Sequence, residues 1–382
     1  MTRDSFLVFG APVIGEDEIQ AVVDTLRCGW IGTGPRVRKF EERFAEYIGV
    51  RHAVAVNSCT AALHLSLHAL NIGPGDEVVT TPLTWCATAN VIVHRGATPI
   101  FADVELETGN MDPNRIEDLI TERTKAIMPV HYAGRPCDMD AILDIAKRKN
   151  LAVVGDAAHA VEAEWRGRKV GALGRTAGFS FYPNKNITTI EGGMLTTDDT
   201  AIAERAHMLS LHGVSSDAWR RFQADGPAHV SVEEAGYKYN MTDVQAALGL
   251  GQLAKVEAHL RRREEIWTKY DRALADSPLI TPPKPKEGTR HARHLYTVLV
   301  DEKHARMDRD GLRAALKARN IGTGLHYIGL TLHPFYRERY GTRRGQCPNA
   351  DYFSDHTLSL PLTAGMSDAD VCDVIEALKE IV

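Results

Sequence analysis

Between residues 50 and 200 the chain alternates short apolar runs with stretches of helical periodicity. The apolar runs are "HAVAV" (52–56), "EVVTT" (77–81), "TPIFA" (98–102), "KAIMPV" (125–130), "LAVVG" (151–155), "AGFSFY" (177–182) and "GMLTT" (193–197). They are rich in β-branched residues and apolar on both faces, so they read as strands covered on both sides. Helical patterns occupy 58–70, 84–95, 113–121 and 138–149. This alternation predicts an α/β fold with a mainly parallel seven-stranded sheet. The last two strands are joined by a loop too short for a helix, and that loop carries Lys185.

The pattern changes after residue 240. Residues 245–275 read as one long helix, or as two broken near Gly249–Gly251. "SPLITPPKPKEGTRH" then forms a Pro- and Lys-rich loop. A smaller α+β region follows, with a strand at 294–300, a helix near 309–319 and a C-terminal helix opening on Ser367-x-x-Asp370. The expected division is therefore a large domain over 1–250 and a connecting helix with a small domain over 251–382. Residues 212–235 form an irregular insertion, a candidate cover for a site.

Composition narrows the function classes. The 382 residues are 44% hydrophobic and 25% charged, the balance of a globular protein of two domains. A net charge of −5 without a basic run argues against nucleic acid or an anionic membrane as partner. No apolar run reaches the roughly 18 residues that span a bilayer. The N-terminus lacks a signal-peptide core. Six scattered cysteines without a C-x-x-C pair suit reduced thiols, and the expected location is cytoplasmic.

Four features of the large domain could carry chemistry. Ser58, Cys59, Thr60 and Ala61 stand at a strand-to-helix turn, where open amides and the helix dipole favour an anion. An ordinary N-cap by Ser58 or Thr60 explains the same residues. Trp85 follows a strand at the edge where ligands bind in such sheets, and its flat face could stack on an aromatic cofactor; taken alone, a core or interface role is the commoner one for such a tryptophan. Asp156 ends an apolar strand, as an N-cap or as the partner of a protonated ring nitrogen. Its neighbour His159 is a hydrogen-bonding group, a ring partner or a core histidine. Lys185 lies between two interior strands, where desolvation would lower its pKa and make it a nucleophile toward an aldehyde. Ser180 would reach the same space as the anion site. Phosphate cradle, stacking ring, carboxylate and amine together describe pyridoxal 5′-phosphate (PLP).

The motifs "GWIGTGPRVRKFEERFAEYIGV", "AVNSCTAALHLSL", "GDEVVTTPLTW", "GDAAHAVEAEWRGRKVG", "FSFYPNKNITTIEGG" and "GYKYNMTDVQAALGL" span about residues 29–250. On these the chain resembles the DegT/DnrJ/EryC1/StrS family of PLP-dependent sugar aminotransferases. "IGTGLHY" and "YRERY" resemble the subgroup of UDP-4-amino-4-deoxy-L-arabinose–oxoglutarate aminotransferases, which act in lipopolysaccharide or lipid A modification. The resemblance implies the PLP-dependent transferase fold type I, as in aspartate aminotransferase. It implies Lys185 as the Schiff-base lysine, Asp156 on the pyridine nitrogen, Trp85 stacked on the ring, and Thr60, Ala61 and Ser180 on the phosphate. His159 would face the cofactor, His326 the sugar nucleotide, and Asn240 the phosphate of the neighbouring subunit in a homodimer. L-Glutamate would be the donor and a nucleotide keto-sugar the acceptor. Two positions depart from the common pattern: Tyr182 stands where relatives often have histidine, and Ile190 precedes Glu191-Gly192-Gly193.

Three other readings compete. A dehydratase of the same superfamily would carry histidine in place of Lys185. A non-catalytic regulator of the same fold would not need the full Lys/Asp/Trp/Ser set. A metal site at His64-x-x-x-His68 has helical ligand spacing but is hemmed in by Leu63, Leu65 and Leu67, which reads as a core or interface pair.

Overall fold

The computed structural model describes residues 2–214 and 231–382. The seven expected strands form one sheet in the order His52–Val56, Gly193–Thr197, Thr176–Ser180, Ala152–Asp156, Thr124–Met128, Glu77–Thr80 and Thr98–Phe101. All pair in parallel except Gly193–Thr197, which runs antiparallel to both neighbours. The connecting residues 181–192 form turns without a helix, so the chain returns directly on the adjacent strand instead of through the helical crossover that usually joins parallel strands. Helices Cys59–Ala69, Ala87–His94 and Met139–Arg148 cover the sheet. Their packing buries Leu63, Leu67, Val78, Val91, Val154 and Ile142 completely or nearly so.

One expectation changes and one open alternative is settled. Residues 113–121 do not form a helix but two 3-10 turns, Pro113–Arg115 and Glu117–Leu119. The Asp112 side chain accepts from Asn114 N at 2.9 Å, a local turn bond that competes with helical continuation. The long helix is unbroken from Asp243 to Ala273, capped by Thr242 and Gln245. Gly249 and Gly251 are contact points rather than breaks. A Cβ on Gly249 would meet the Phe40 ring at 2.8 Å, and one on Gly251 would meet Glu18 Cγ at 2.5 Å.

The smaller region builds a three-stranded sheet, Leu279–Ile280, Tyr296–Val300 and Thr357–Leu360, flanked by helices Arg309–Lys317 and Asp368–Ile381. Ser367 and Asp370 close the anticipated capping box. The N-terminal segment joins this region: Leu7 bridges Ile321, and Arg3 pairs with Asp370 at 2.6 Å and with Asp373. Leu83 and Tyr132 pack with Leu295, Tyr327 and Phe353 in a cluster shared by the two sheets. The insertion expected over 212–235 has its ends paired through Val214 and Val232; its role as a cover concerns residues 215–230, outside the described residues. Among the described residues no helix is long and apolar enough to cross a membrane.

Gly193 sets the spacing between sheet and helix. A Cβ there would lie 2.4 Å from Ser58 C and 2.5 Å from Cys59 N, backbone atoms with little freedom to yield. Gly193→Ala is expected to destabilise the fold by about 1–3 kcal/mol through overpacking. Denaturant unfolding checks this; an unchanged midpoint would mean that the strand and helix can move apart freely.

Candidate active site

The first turn of helix Cys59–Ala69 forms one wall. Ser58 is extended, and its Oγ accepts from Ala61 N at 3.1 Å. An N-cap satisfies one of the orphan amides of a first turn and leaves the others for an anion. Thr60 and Ala61 belong to that turn. Ser180 sits across the ladder from Gly193, which presses on Ser58 and Cys59. Its Oγ is met by Tyr182 N only at 3.5 Å, so its O–H proton is not committed there. Thr60, Ala61 and Ser180 are thus brought to one corner.

Asp156 lies at the carboxyl end of the next strand, 5% exposed. Its Oδ2 accepts from Thr88 Oγ1 at 2.8 Å and its Oδ1 from Ala158 N at 3.1 Å. Thr88 is in turn 2.7 Å from Thr84 Oγ1. No helix follows Asp156, so the N-cap reading fails: its chain continues as turns. Burial pushes its carboxyl pKa up, opposed by the Thr88 and Ala158 bonds and the charge of Lys185. A carboxyl so placed is short of a cation.

Lys185 is held in a turn by its amide, which donates to Tyr182 O at 2.9 Å. Burial lowers its amine to about 8, opposed by Cys59 and Asp156. No carboxylate lies within ion-pair distance of it among the described residues. Asn186, next in sequence, anchors the loop. Its Nδ2 donates to Glu162 Oε2 at 2.7 Å and to Ala292 O at 3.0 Å. That turns its Oδ1 toward His294 Nδ1 at 2.9 Å, so Nδ1 of His294 carries the proton. His294 stacks at a tilt on His159, with ring centroids 4.5 Å apart. His159 Nε2 meets the Tyr327 hydroxyl at 3.1 Å, while its Nδ1 is buried without a partner. Burial, then the charge of Lys185, keeps His159 and His294 well below the usual imidazole range. Both rings are therefore neutral hydrogen-bonding groups at pH 7.

Trp85 lies in the turn before its helix, 64% exposed, with its ring 6.3 Å from that of Tyr327. It is not a core residue, and its flat face is free for a ligand. His326 is half-buried, stacked on Phe9 at 5.4 Å, and its Nδ1 meets Ser359 Oγ at 2.8 Å. Burial and the charge of Lys185 lower it to about 3. Asn240 makes no hydrogen bond to these groups among the described residues. It bridges Val56 at the sheet edge and donates to Thr33 Oγ1 at 2.7 Å. His64 and His68 are buried on the helix and bonded to the hydroxyls of Tyr239 and Tyr237 at 3.1 and 3.0 Å, the core role rather than a metal pair. Sequence reasoning missed Thr88, His294 and Tyr327. Thr88 follows Trp85 by one helical turn toward the sheet edge, a spacing that could have suggested it; the other two carry no local signal.

This arrangement fits PLP. The helix turn and Ser180 suit its phosphate, the raised carboxyl of Asp156 suits a protonated ring nitrogen, and the orphaned Nδ1 of His159 suits a polar substituent. The comparisons agree. The model of the DegT/DnrJ/EryC1/StrS aminotransferase family matches residues 12–379. The spore coat polysaccharide biosynthesis protein SpsC of Bacillus subtilis is 50% identical over 381 residues, 100% of this chain and 98% of that one. Spr1654 of Streptococcus pneumoniae in its PLP form superposes with a TM-score of 0.92 at 34% identity, covering 98% of each chain. Helicobacter pylori PseC, an aminotransferase involved in the biosynthesis of pseudoaminic acid, gives 0.90 at 30% identity, covering 99% of each. The fold is thus fold type I, and the chain belongs to the DegT/DnrJ/EryC1/StrS aminotransferase family of PLP-dependent enzymes.

Proposed function

We propose that this enzyme moves the amino group of L-glutamate to the 4-keto carbon of a nucleotide-linked sugar, with a UDP-4-keto-pentose as the first acceptor. The observation that carries transamination is the half-buried amine of Lys185, its pKa lowered by burial and without an ion-pair partner among the described residues, within electrostatic reach of the cation-seeking carboxyl of Asp156. Bound PLP supplies an aldehyde and an electron-withdrawing ring that acidifies the carbon bearing the amine. The chain's own residues do the rest. Lys185 takes a proton from the donor's α-carbon in one half of the reaction and returns one in the other; its lowered pKa keeps a useful fraction neutral near pH 7. Asp156, held by Thr88 and Ala158, keeps the ring nitrogen protonated. Thr60, Ala61 and Ser180 hold the phosphate, Trp85 covers the ring, and His159, fixed by Tyr327, contacts its polar edge. His326 faces the sugar nucleotide.

The "IGTGLHY" and "YRERY" segments support a pentose acceptor. The roles of SpsC and PseC support sugar chemistry without naming a pentose. The second acceptor is a UDP- or dTDP-linked 4-keto-6-deoxyhexose. A homodimer with Asn240 reaching the partner's phosphate is supported by the exposure of the apolar and aromatic Trp85, Tyr182 and Ile190.

Three outcomes follow. The holoenzyme is expected to lose its visible absorbance on adding L-glutamate and to recover it with the correct member of a panel of keto-sugar nucleotides. Lys185→Ala abolishes both changes; a wild-type spectrum indifferent to glutamate would instead make the protein a binder. A second outcome concerns pH. A lysine with a lowered pKa is charged below about 8 and neutral above it, and only the neutral amine adds to an aldehyde. The rate at which apoprotein takes up PLP should therefore rise roughly tenfold per pH unit below that value and level off above it. Stopped-flow absorbance measures this, and a flat profile between about pH 6.5 and 9 contradicts it. Third, co-expressed Lys185→Ala and Asn240→Ala subunits should regain activity beyond either variant alone, because a mixed dimer holds one intact site. Activity no higher than that of Asn240→Ala alone would place Asn240 in its own subunit's chemistry or outside it.

A further inference from the structure

Residues 3–13 run across the molecule as a strap. Arg3 is paired with Asp370 and Asp373 on the C-terminal helix. Leu7 N donates to Asn320 O at 2.8 Å, and Gly322 N donates to Leu7 O at 2.9 Å. Gly10 then lies against the lysine loop, where a Cβ would meet Asn184 Cβ at 2.8 Å. Ala11, Pro12 and Val13 line a small cavity together with Lys185. Phe9 stands between the two anchored stretches.

Phe9 stacks on the His326 ring, with centroids 5.4 Å apart and planes inclined by 30°. Tyr327 meets the same imidazole edge-on at 5.0 Å. His326 Nδ1 is bonded to Ser359 Oγ at 2.8 Å, and its carbonyl accepts from the Tyr132 hydroxyl and from Thr357 Oγ1, the latter at 3.2 Å. Nε2 makes no hydrogen bond among the described residues and is not sealed in the interior. Glycine at 324 makes room for the stack: a Cβ there would collide with His326 Cε1 and lie 3.0 Å from Phe9 Cζ. An imidazole held by one face, one edge and one nitrogen presents its other nitrogen in a fixed direction.

We propose that Phe9 is a positioning residue for the acceptor half of the reaction, aligning His326 so that Nε2 hydrogen-bonds the sugar of the nucleotide. The inference rests on the reading above, in which His326 faces that sugar, and deepens it by bringing the N-terminal strap into acceptor recognition. Burial keeps His326 neutral, at about 3. A neutral ring serves a sugar hydroxyl as donor or acceptor, whereas the carboxylates of an amino donor call for a cation. Without Phe9 on its face the imidazole is free to tilt, and a hydrogen bond weakens steeply once its angle is lost.

The test uses the holoenzyme, bleached with L-glutamate and then freed of it. The return of visible absorbance is followed with a UDP-4-keto-pentose and with a dTDP-4-keto-6-deoxyhexose. Phe9→Ala should raise the acceptor concentration for half-maximal rate roughly 3- to 10-fold, the worth of one aromatic pair. Phe9→Tyr keeps the ring and should stay near wild type, whereas Phe9→Leu keeps only apolar bulk and should behave like Phe9→Ala. The glutamate concentration for half-maximal bleaching should not move in any of the three. If Phe9→Ala leaves the acceptor dependence unchanged, if Phe9→Leu matches wild type, or if glutamate and acceptor are impaired alike, Phe9 serves packing alone; the positioning role is then wrong and the aminotransferase reading stands. If wild-type enzyme does not bleach with glutamate, or recovers with neither acceptor, that reading fails and the role of Phe9 with it.

Discussion

One constraint organises this molecule: a lysine amine must be kept out of water and away from any carboxylate that would lock it as an ammonium. Nearly every feature around Lys185 serves that condition. The flanking strands are buried, the neighbouring imidazoles are neutral, and the nearest acid, Asp156, is occupied by Thr88 and a backbone amide. A charged carboxylate in direct contact would raise the amine pKa and silence it as a base. Distance and burial instead leave it near 8, close to the pH at which it would work.

The fold makes that condition affordable. Sheet strands buried on both faces supply the dry environment, and their carboxyl ends deliver Asp156 and Ser180 to one edge. Glycine at 193 lets the sheet approach the helix start so closely that the helix turn of Ser58–Ala61 and the lysine loop share a wall. A second layer, Glu162 with Asn186, Arg263 and His294, ties the loop to the segment entering the small sheet. The lysine loop is thus held from two sheets at once.

Much of this was legible in the amino-acid sequence. Strands covered on both faces appear as continuous apolar runs, and all seven lie within two residues of their expected bounds. Lys185, Asp156 and Ser180 announce themselves by standing beside those runs. Residues 113–121 misled because their apolar spacing is helical, while Asp112 and Pro113 favour a tighter turn. Tyr327 and Thr88 could not be read, since each acts through a partner far along the chain: Tyr327 on a histidine 168 residues away, Thr88 on an aspartate 68 away. Contacts of that range depend on the finished topology and leave no periodic trace. The glycines of the long helix left open whether it was one helix or two for the same reason, because what they accommodate is another helix.

The lone antiparallel strand has a mechanical meaning. In a sheet of parallel strands each loop at the carboxyl edge leads away into a helix, so one end of it is free to swing. Here the chain leaves Ser180 and returns at Gly193 on the adjacent strand, and both ends of the lysine loop are stitched into the same ladder. The amine is then a tool on a fixed mount. It can travel by rotating its own four-carbon stem, while its point of attachment is tied at both ends to one ladder.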